Sequence, residues 1–137
     1  MKRLILAAGL FAATLTASLH AQTMNLQASI PFEFRLGSTV LPAGDYSIRH
    51  SGDLLFVKQT GGAHKSAIFR TVGEDRPAGS KAAPTLQFNR YGSTYFLSKV
   101  WTEESTRART TPKTAHEKEL ARHIGQPGTT TVALQTK

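Results

Sequence analysis

The chain has 137 residues, no cysteine, 39% hydrophobic and 19% charged side chains, and a formal net charge of +8. That length suits one domain built on one core. The missing cysteines exclude disulfide staples, a thiolate nucleophile and lipoprotein anchoring through an N-terminal cysteine, so stability must come from packing.

Residues 1–21, MKRLILAAGLFAATLTASLHA, place Lys2 and Arg3 before an uncharged apolar run and end in small residues. This is the layout of a secretory signal peptide, with cleavage expected after Ala21 and Ser18 as the alternative. The run is shorter than the roughly 18 to 20 residues that span a bilayer, and no second one occurs, so no transmembrane segment is expected after cleavage. Removing 21 of the 137 residues leaves a mature chain of 116, and losing Lys2 and Arg3 lowers the charge from +8 to +6. Residues 22–104 hold nine basic and seven acidic side chains, and residues 105–137 six and two, so the tail is the basic part. Such an excess favours an anionic envelope polymer or lipid surface, or serves only solubility.

From Leu26, LQASIPFEFR alternates, with Leu26, Ala28, Ile30, Phe32 and Phe34 on one side. Period two predicts a half-buried strand. Pro31 cannot donate to a ladder, which predicts a sheet edge or a bulge there. Gly37-Ser38-Thr39 then suits a reversal, Val40 and Leu41 a short strand, and Pro42-Ala43-Gly44 a second turn. Asp45 to His50 is expected as a strand with Tyr46 and Ile48 inward, followed by a turn at Ser51-Gly52-Asp53. LLFVKQ (54–59) and KSAIFRTV (65–72) flank Thr60-Gly61-Gly62-Ala63 and predict a hairpin. Apolar residues on both faces of these two strands predict that each face is covered.

Residues 73–84, GEDRPAGSKAAP, predict an exposed loop. TLQFNRY (85–91), Gly92-Ser93-Thr94 and YFLSKVW (95–101) form the clearest hairpin pattern. TEESTRARTTPK (102–113) is polar and basic, and is expected as a linker or an extended surface segment. Thr114 and Glu117 make a capping box, in which each side chain satisfies a backbone amide of the other. The helix is expected from Ala115 to Ile124 with its stop at Gly125. Leu120, Ala121 and Ile124 form a narrow stripe suited to docking on a sheet. TTTVALQ (129–135) has strand propensity and is expected to close a sheet edge.

RLGSTVL (35–41) and RYGSTYFL (90–97) share one pattern, with glycines 55 positions apart. A phosphate cradle would need a helix N-terminus after the glycine. Both copies lie between strand patterns instead, so both are expected as hairpin reversals. His50, His64, His116 and His123 form no dense cluster with acidic residues. His116 and His123, seven apart, would lie roughly 10 Å apart along a helix, so no metal site is expected. Glu74-Asp75 and Glu103-Glu104 are adjacent pairs whose carboxylates point to opposite faces of a strand, which does not suit paired acid and base work. Neither Gly-x-Ser-x-Gly nor His-Glu-x-x-His occurs.

The residues best suited to binding lie on the hairpin 85–101. Period two puts Tyr95, Leu97, Lys99 and Trp101 on one face, with Arg90 and Tyr91 just across the turn. Arg90, Tyr91, Tyr95, Lys99 and Trp101 are thus the candidate strip, able to stack on sugars, apolar ligands or a partner's side chains. The plainer alternative is a packed core with Lys99 snorkelling to water.

IPFEFRLGSTVLPAGDYSI (30–48), LQFNRYGSTYFLSKVW (86–101) and TPKTAHEKELAR (111–122) resemble, in order and spacing, a family of small exported proteins common in soil bacteria of the acidobacterial type. The family pattern is PFxFxxGxxxLPAGxY, then a phenylalanine, RYG, YFLxxVW, a Pro-Lys-Ser and a Glu-x-Glu-Leu segment. This chain differs in Thr114, where the pattern has serine, and in lacking a glycine near Ala108. The resemblance implies export and the extent of the domain. It carries over no functional residue.

The fold expected is all-β and mainly antiparallel: a small β-barrel or β-sandwich of about seven or eight strands with one short C-terminal helix. The expected function is that of an exported, non-enzymatic interaction or structural module of the periplasm or cell envelope, needing no cofactor. Its partner would be an envelope protein or an anionic polymer. Nucleic acid is not expected, because the signal peptide directs the chain away from it. The alternatives are a barrel binding a small apolar ligand and, third, a hydrolase whose site assembles in space.

Overall fold

The computed structural model describes residues 25–75, 83–102 and 107–136. The expected signal peptide lies outside the described residues, as do 76–82 of the expected loop and 103–106 of the expected linker. The elements are β1 (Leu26–Ile30), β2 (Phe34–Leu36), β3 (Thr39–Leu41), β4 (Gly44–Ser51), β5 (Leu54–Gln59), β6 (Ser66–Arg70), β7 (Val72–Asp75), β8 (Thr85–Tyr91), β9 (Thr94–Trp101), β10 (Arg107–Thr110), α1 (Ala115–Ile124), β11 (Gly128–Ala133) and β12 (Gln135–Thr136). A five-stranded sheet has the order β12-β1-β4-β5-β6. A seven-stranded sheet has the order β11-β8-β9-β10-β7, with the β2–β3 hairpin attached to β9. All pairings are antiparallel except β2 with β9, where Arg35 lies opposite Phe96. The fold is therefore β-rich and mostly antiparallel, with one short helix near the C-terminus.

The twelve strands among the described residues exceed the expected seven or eight chiefly because three continuous segments change sheet partway. The first bends at Pro31, between β1 and β2, where the missing N–H ends one ladder. Pro31 lies just past β1, of which only Leu26 and Gln27 pair with β12, so at its Pro31 end β1 has β4 alone as ladder neighbour, as at a sheet edge. The second turns at Thr71, whose N–H and Oγ1 both donate to the Asp53 carbonyl, at 2.7 and 2.9 Å. The third turns at Leu134, a buried residue whose N–H donates to the Pro84 carbonyl at 2.9 Å. The segments β6–β7 and β11–β12 thus join the two sheets at both ends of their strand order.

The core lies between the sheets. Alternation supplies it with Leu26, Ala28 and Ile30 from β1, and Phe34 and Leu36 continue the same phase beyond the bend. The Phe34 ring meets Tyr46 and Phe88 edge-on, at centroid distances of 5.2 and 5.4 Å. Both Gly-Ser-Thr segments are hairpin turns, with Leu36 opposite Thr39 and Tyr91 opposite Thr94. Gly37 and Gly92 both have φ of 61°, and neither serine has positive φ. This is the two-residue reversal that requires glycine first.

Three expectations are corrected by the packing. The outward faces of β5 and β6 are not covered: Leu54 is 39% and Ile68 63% exposed. The expected loop begins later, because 72–75 pair with β10 as β7. The expected linker likewise contains β10, whose Ala108 is fully buried. Only one residue of that strand is apolar, too weak a signal for alternation to register.

Candidate interaction surfaces

The hairpin β8–β9 carries all five candidate binding residues, and a bulge separates them. Gln87 pairs with Lys99 and Phe88 with Leu97, so Ser98 is an extra residue on β9. Its Oγ donates to the Gln87 carbonyl at 2.9 Å. An extra residue moves every later side chain to the opposite face. Tyr95, Leu97 and Val100 therefore face the main core, while Phe96, Lys99 and Trp101 point away from it. The strip from Tyr95 to Trp101 does not form, because period two fails at Ser98.

On the core-facing side, Arg90 and Tyr95 remain together at the rim. The Arg90 guanidinium lies 5.8 Å from the Tyr95 ring centroid, and Phe32 stacks on Tyr95 at 3.9 Å. On the other side, Lys99 Nζ is 2.8 Å from Glu74 Oε1, and Thr110 Oγ1 donates to Glu74 Oε2 at 2.9 Å. These donors, the Lys99 hydrogen bond first, hold the Glu74 carboxyl below its usual range. Glu74, accepting from Lys99 of β9 and Thr110 of β10, thereby ties three strands of the sheet together. Trp101 sits half-buried opposite Thr85.

Tyr91 is enclosed beneath α1. Its hydroxyl donates to Glu117 Oε1 at 3.2 Å, and Asn89 Nδ2 donates to the same oxygen at 2.9 Å. Burial, then the Glu117 charge and hydrogen bond, push the Tyr91 phenol up. The Tyr91 ring also meets Phe96 edge-on at 5.8 Å, and His116 lies 5.9 Å from Phe96. The capping box is accordingly half formed. Thr114 Oγ1 accepts from the Glu117 N–H at 3.2 Å, but the Glu117 carboxylate turns to the sheet. Glu117 is the buried residue of the helix, at 4% exposure, whereas Ile124 of the expected docking stripe is 55% exposed.

The outward face of β4–β5–β6 is open where the sequence pattern of β5 and β6 predicts cover. Register places Arg49 opposite Phe56 and Phe56 opposite Ile68 across three neighbouring strands. Ser47, Lys58 and Ser66 form the next row on one side, and Ser51, Leu54 and Arg70 the row on the other. The Arg49 guanidinium covers the Phe56 ring at 5.2 Å. Arg70 Nε meets Asp53 Oδ2 at 2.7 Å, and this hydrogen bond first of all holds the Asp53 carboxyl low. Val72, just past the corner, is 60% exposed. The cue was apolar residues in both phases of β5 and β6. That pattern fits two covered faces as well as one open face, and only the layer arrangement separates them.

Two recesses meet at Asp45 and Thr60. One, of about 430 Å³, is bounded among others by Ser29, Tyr46 and Val132, and the other, of about 380 Å³, by Gln59, Gly61 and Gly62. The Asp45 carboxylate accepts from Ser29 Oγ at 2.5 Å, and its carbonyl from the Thr60 N–H at 2.9 Å, so these groups serve strand pairing. Among the described residues, no group of three or more His, Cys, Asp and Glu could hold a metal ion, and no helix is long and apolar enough to cross a membrane. No family model matches the chain, and the search of curated proteins and that of solved structures likewise found no similar protein.

Proposed function

We propose that this protein is an exported, non-enzymatic interaction module whose contact surface is the outward face of β4–β5–β6. The observation that carries this reading is Ile68, 63% exposed beside Phe56 on a sheet whose other side is core. Exposed aliphatic side chains clustered on one face are a mark of interaction sites. Arg49, Lys58 and Arg70 border the cluster, and all three are exposed. Export rests on the signal-like residues 1–21, and it leads to the periplasm or the extracellular side.

The test is affinity capture from envelope fractions with the mature chain, beginning at Gln22, as bait. Phe56→Glu combined with Ile68→Glu should abolish retention of whatever the parent chain captures, while thermal unfolding stays cooperative. Retention of the same material by the double variant would show that the contact lies elsewhere.

A further inference from the structure

We infer that the surface contacted by the β4–β5–β6 face is an anionic lipid bilayer, an inference that rests on reading that face as the contact surface. Three features point to it. First, the apolar side chains protrude from the sheet instead of lining a recess. Ile68 and Leu54 are 63% and 39% exposed, Val72, past the corner on β7 of the other sheet, is 60% exposed, and the recesses near Asp45 are lined by other residues. A protein partner is usually gripped by a buried anchor in a pocket. Protruding aliphatics suit insertion into the boundary between headgroups and acyl chains, some 5 to 10 Å deep.

Second, the cations stand where headgroups would be. Neighbouring strands lie about 4.8 Å apart, and Arg49, one strand from Phe56 and two from Ile68, holds its guanidinium over the Phe56 ring at 5.2 Å. Lys58 and Arg70 lie two residues to either side of the Phe56–Ile68 pair. Long basic side chains keep apolar stems against such a centre while their heads reach phosphate. Asp45, on the same outward phase of β4 as Arg49, accepts from Ser29, and Asp53 pairs with this border through Arg70, whose side chain is 82% exposed. A surface pair of this kind gives way readily to a competing anion.

Third, the charge disfavours a second copy as occupant. Two such faces brought together would oppose Arg49, Lys58 and Arg70 with their own equivalents. An anionic bilayer complements both the charge and the apolar centre, whereas a soluble polyanion complements the charge alone.

The test uses the mature chain from Gln22, which contains every described element and lacks the apolar N-terminal run. It is sedimented with vesicles of phosphatidylcholine alone or mixed with phosphatidylglycerol, and separately titrated with polyphosphate. Binding is expected to the mixed vesicles and not to phosphatidylcholine alone. Arg49→Gln and Lys58→Gln should each weaken it about five-fold, as expected for one charge near an anionic surface. Ile68→Ser should weaken vesicle binding by a similar factor and leave any polyphosphate binding unchanged. Lys118→Gln with Arg122→Gln, on the exposed side of α1, should change vesicle binding by less than about two-fold.

Equal effects of the helix and face variants would overturn the inference, because the basic tail would then be the binder. So would vesicle binding that is unchanged by Ile68→Ser and no tighter than binding to polyphosphate. Absence of vesicle binding, with face-dependent capture of an envelope protein retained, would overturn the lipid assignment and leave the interaction reading standing. Loss of both would remove both.

Discussion

Gly37 and Gly92 occupy the same turn position with the same φ of 61°, yet their surroundings differ. A Cβ on Gly37 would lie 2.6 Å from Cε2 of the Phe69 ring, whereas one on Gly92 would meet nothing within 4 Å. Gly92→Ala should therefore cost only the left-handed backbone penalty, about 1 to 2 kcal/mol. Gly37→Ala adds overpacking against Phe69 and should cost about 1 to 3 kcal/mol more. Urea denaturation of the two variants checks this, and equal losses would mean that the Phe69 ring moves aside freely. The Leu-Pro-Ala-Gly-x-Tyr stretch is also explained locally. The Tyr46 ring is buried, and its hydroxyl donates to the Pro42 carbonyl. Burial raises the Tyr46 phenol pKa. The residues that looked most distinctive in this stretch build a corner.

At the scale of the element, α1 separates what is local from what is not. Its start at Thr114 and its stop at Gly125 were legible, because capping depends on residues within one turn. Its docking was not, because the partners of Glu117 are Asn89 and Tyr91, 28 and 26 residues earlier. Glu117→Ala should cost about 1 to 3 kcal/mol by leaving the buried Tyr91 hydroxyl and the half-buried Asn89 amide without their acceptor. Ile124→Ala, at an exposed position, should stay within about 0.5 kcal/mol. Urea unfolding of both variants gives the comparison, and the reverse order would assign docking to the apolar stripe. The bulge at Ser98 is the other element-level device hidden from the sequence. Nothing in YFLSKVW signals an extra residue, yet it sends Lys99 to Glu74 instead of leaving it beside Tyr95.

For the whole molecule, acid stability is where the sheet arrangement is read out. His50 is half-buried on β4, and burial first, then the Arg109 charge, lower its pKa from 6.5. The unfolded chain therefore binds more protons in the window below pH 6.5, so stability falls as pH falls through that window. The carboxylates of Asp53 and Glu74 are held below their ordinary values of 3.8 and 4.5. Their stabilising effect is complete above those values and is lost only at lower pH. Urea midpoints at about pH 7.5 and about pH 5.5 should consequently differ more for the parent chain than for His50→Gln. Identical pH dependence in the two would show that His50 is not the responsible group.

By itself, the sequence determined the β class, the two glycine reversals, most strand spans and the helix limits. Each of these depends on periodicity or on chemistry within a few residues. Only the tertiary structure decided that segments bend between sheets at Pro31, Thr71 and Leu134, that Ser98 reverses the facing of β9, and that the outer side of β5 and β6 stays open. The reason is physical. Alternation states that two faces differ or match in polarity, but which face meets another layer is settled by residues brought together from distant parts of the chain.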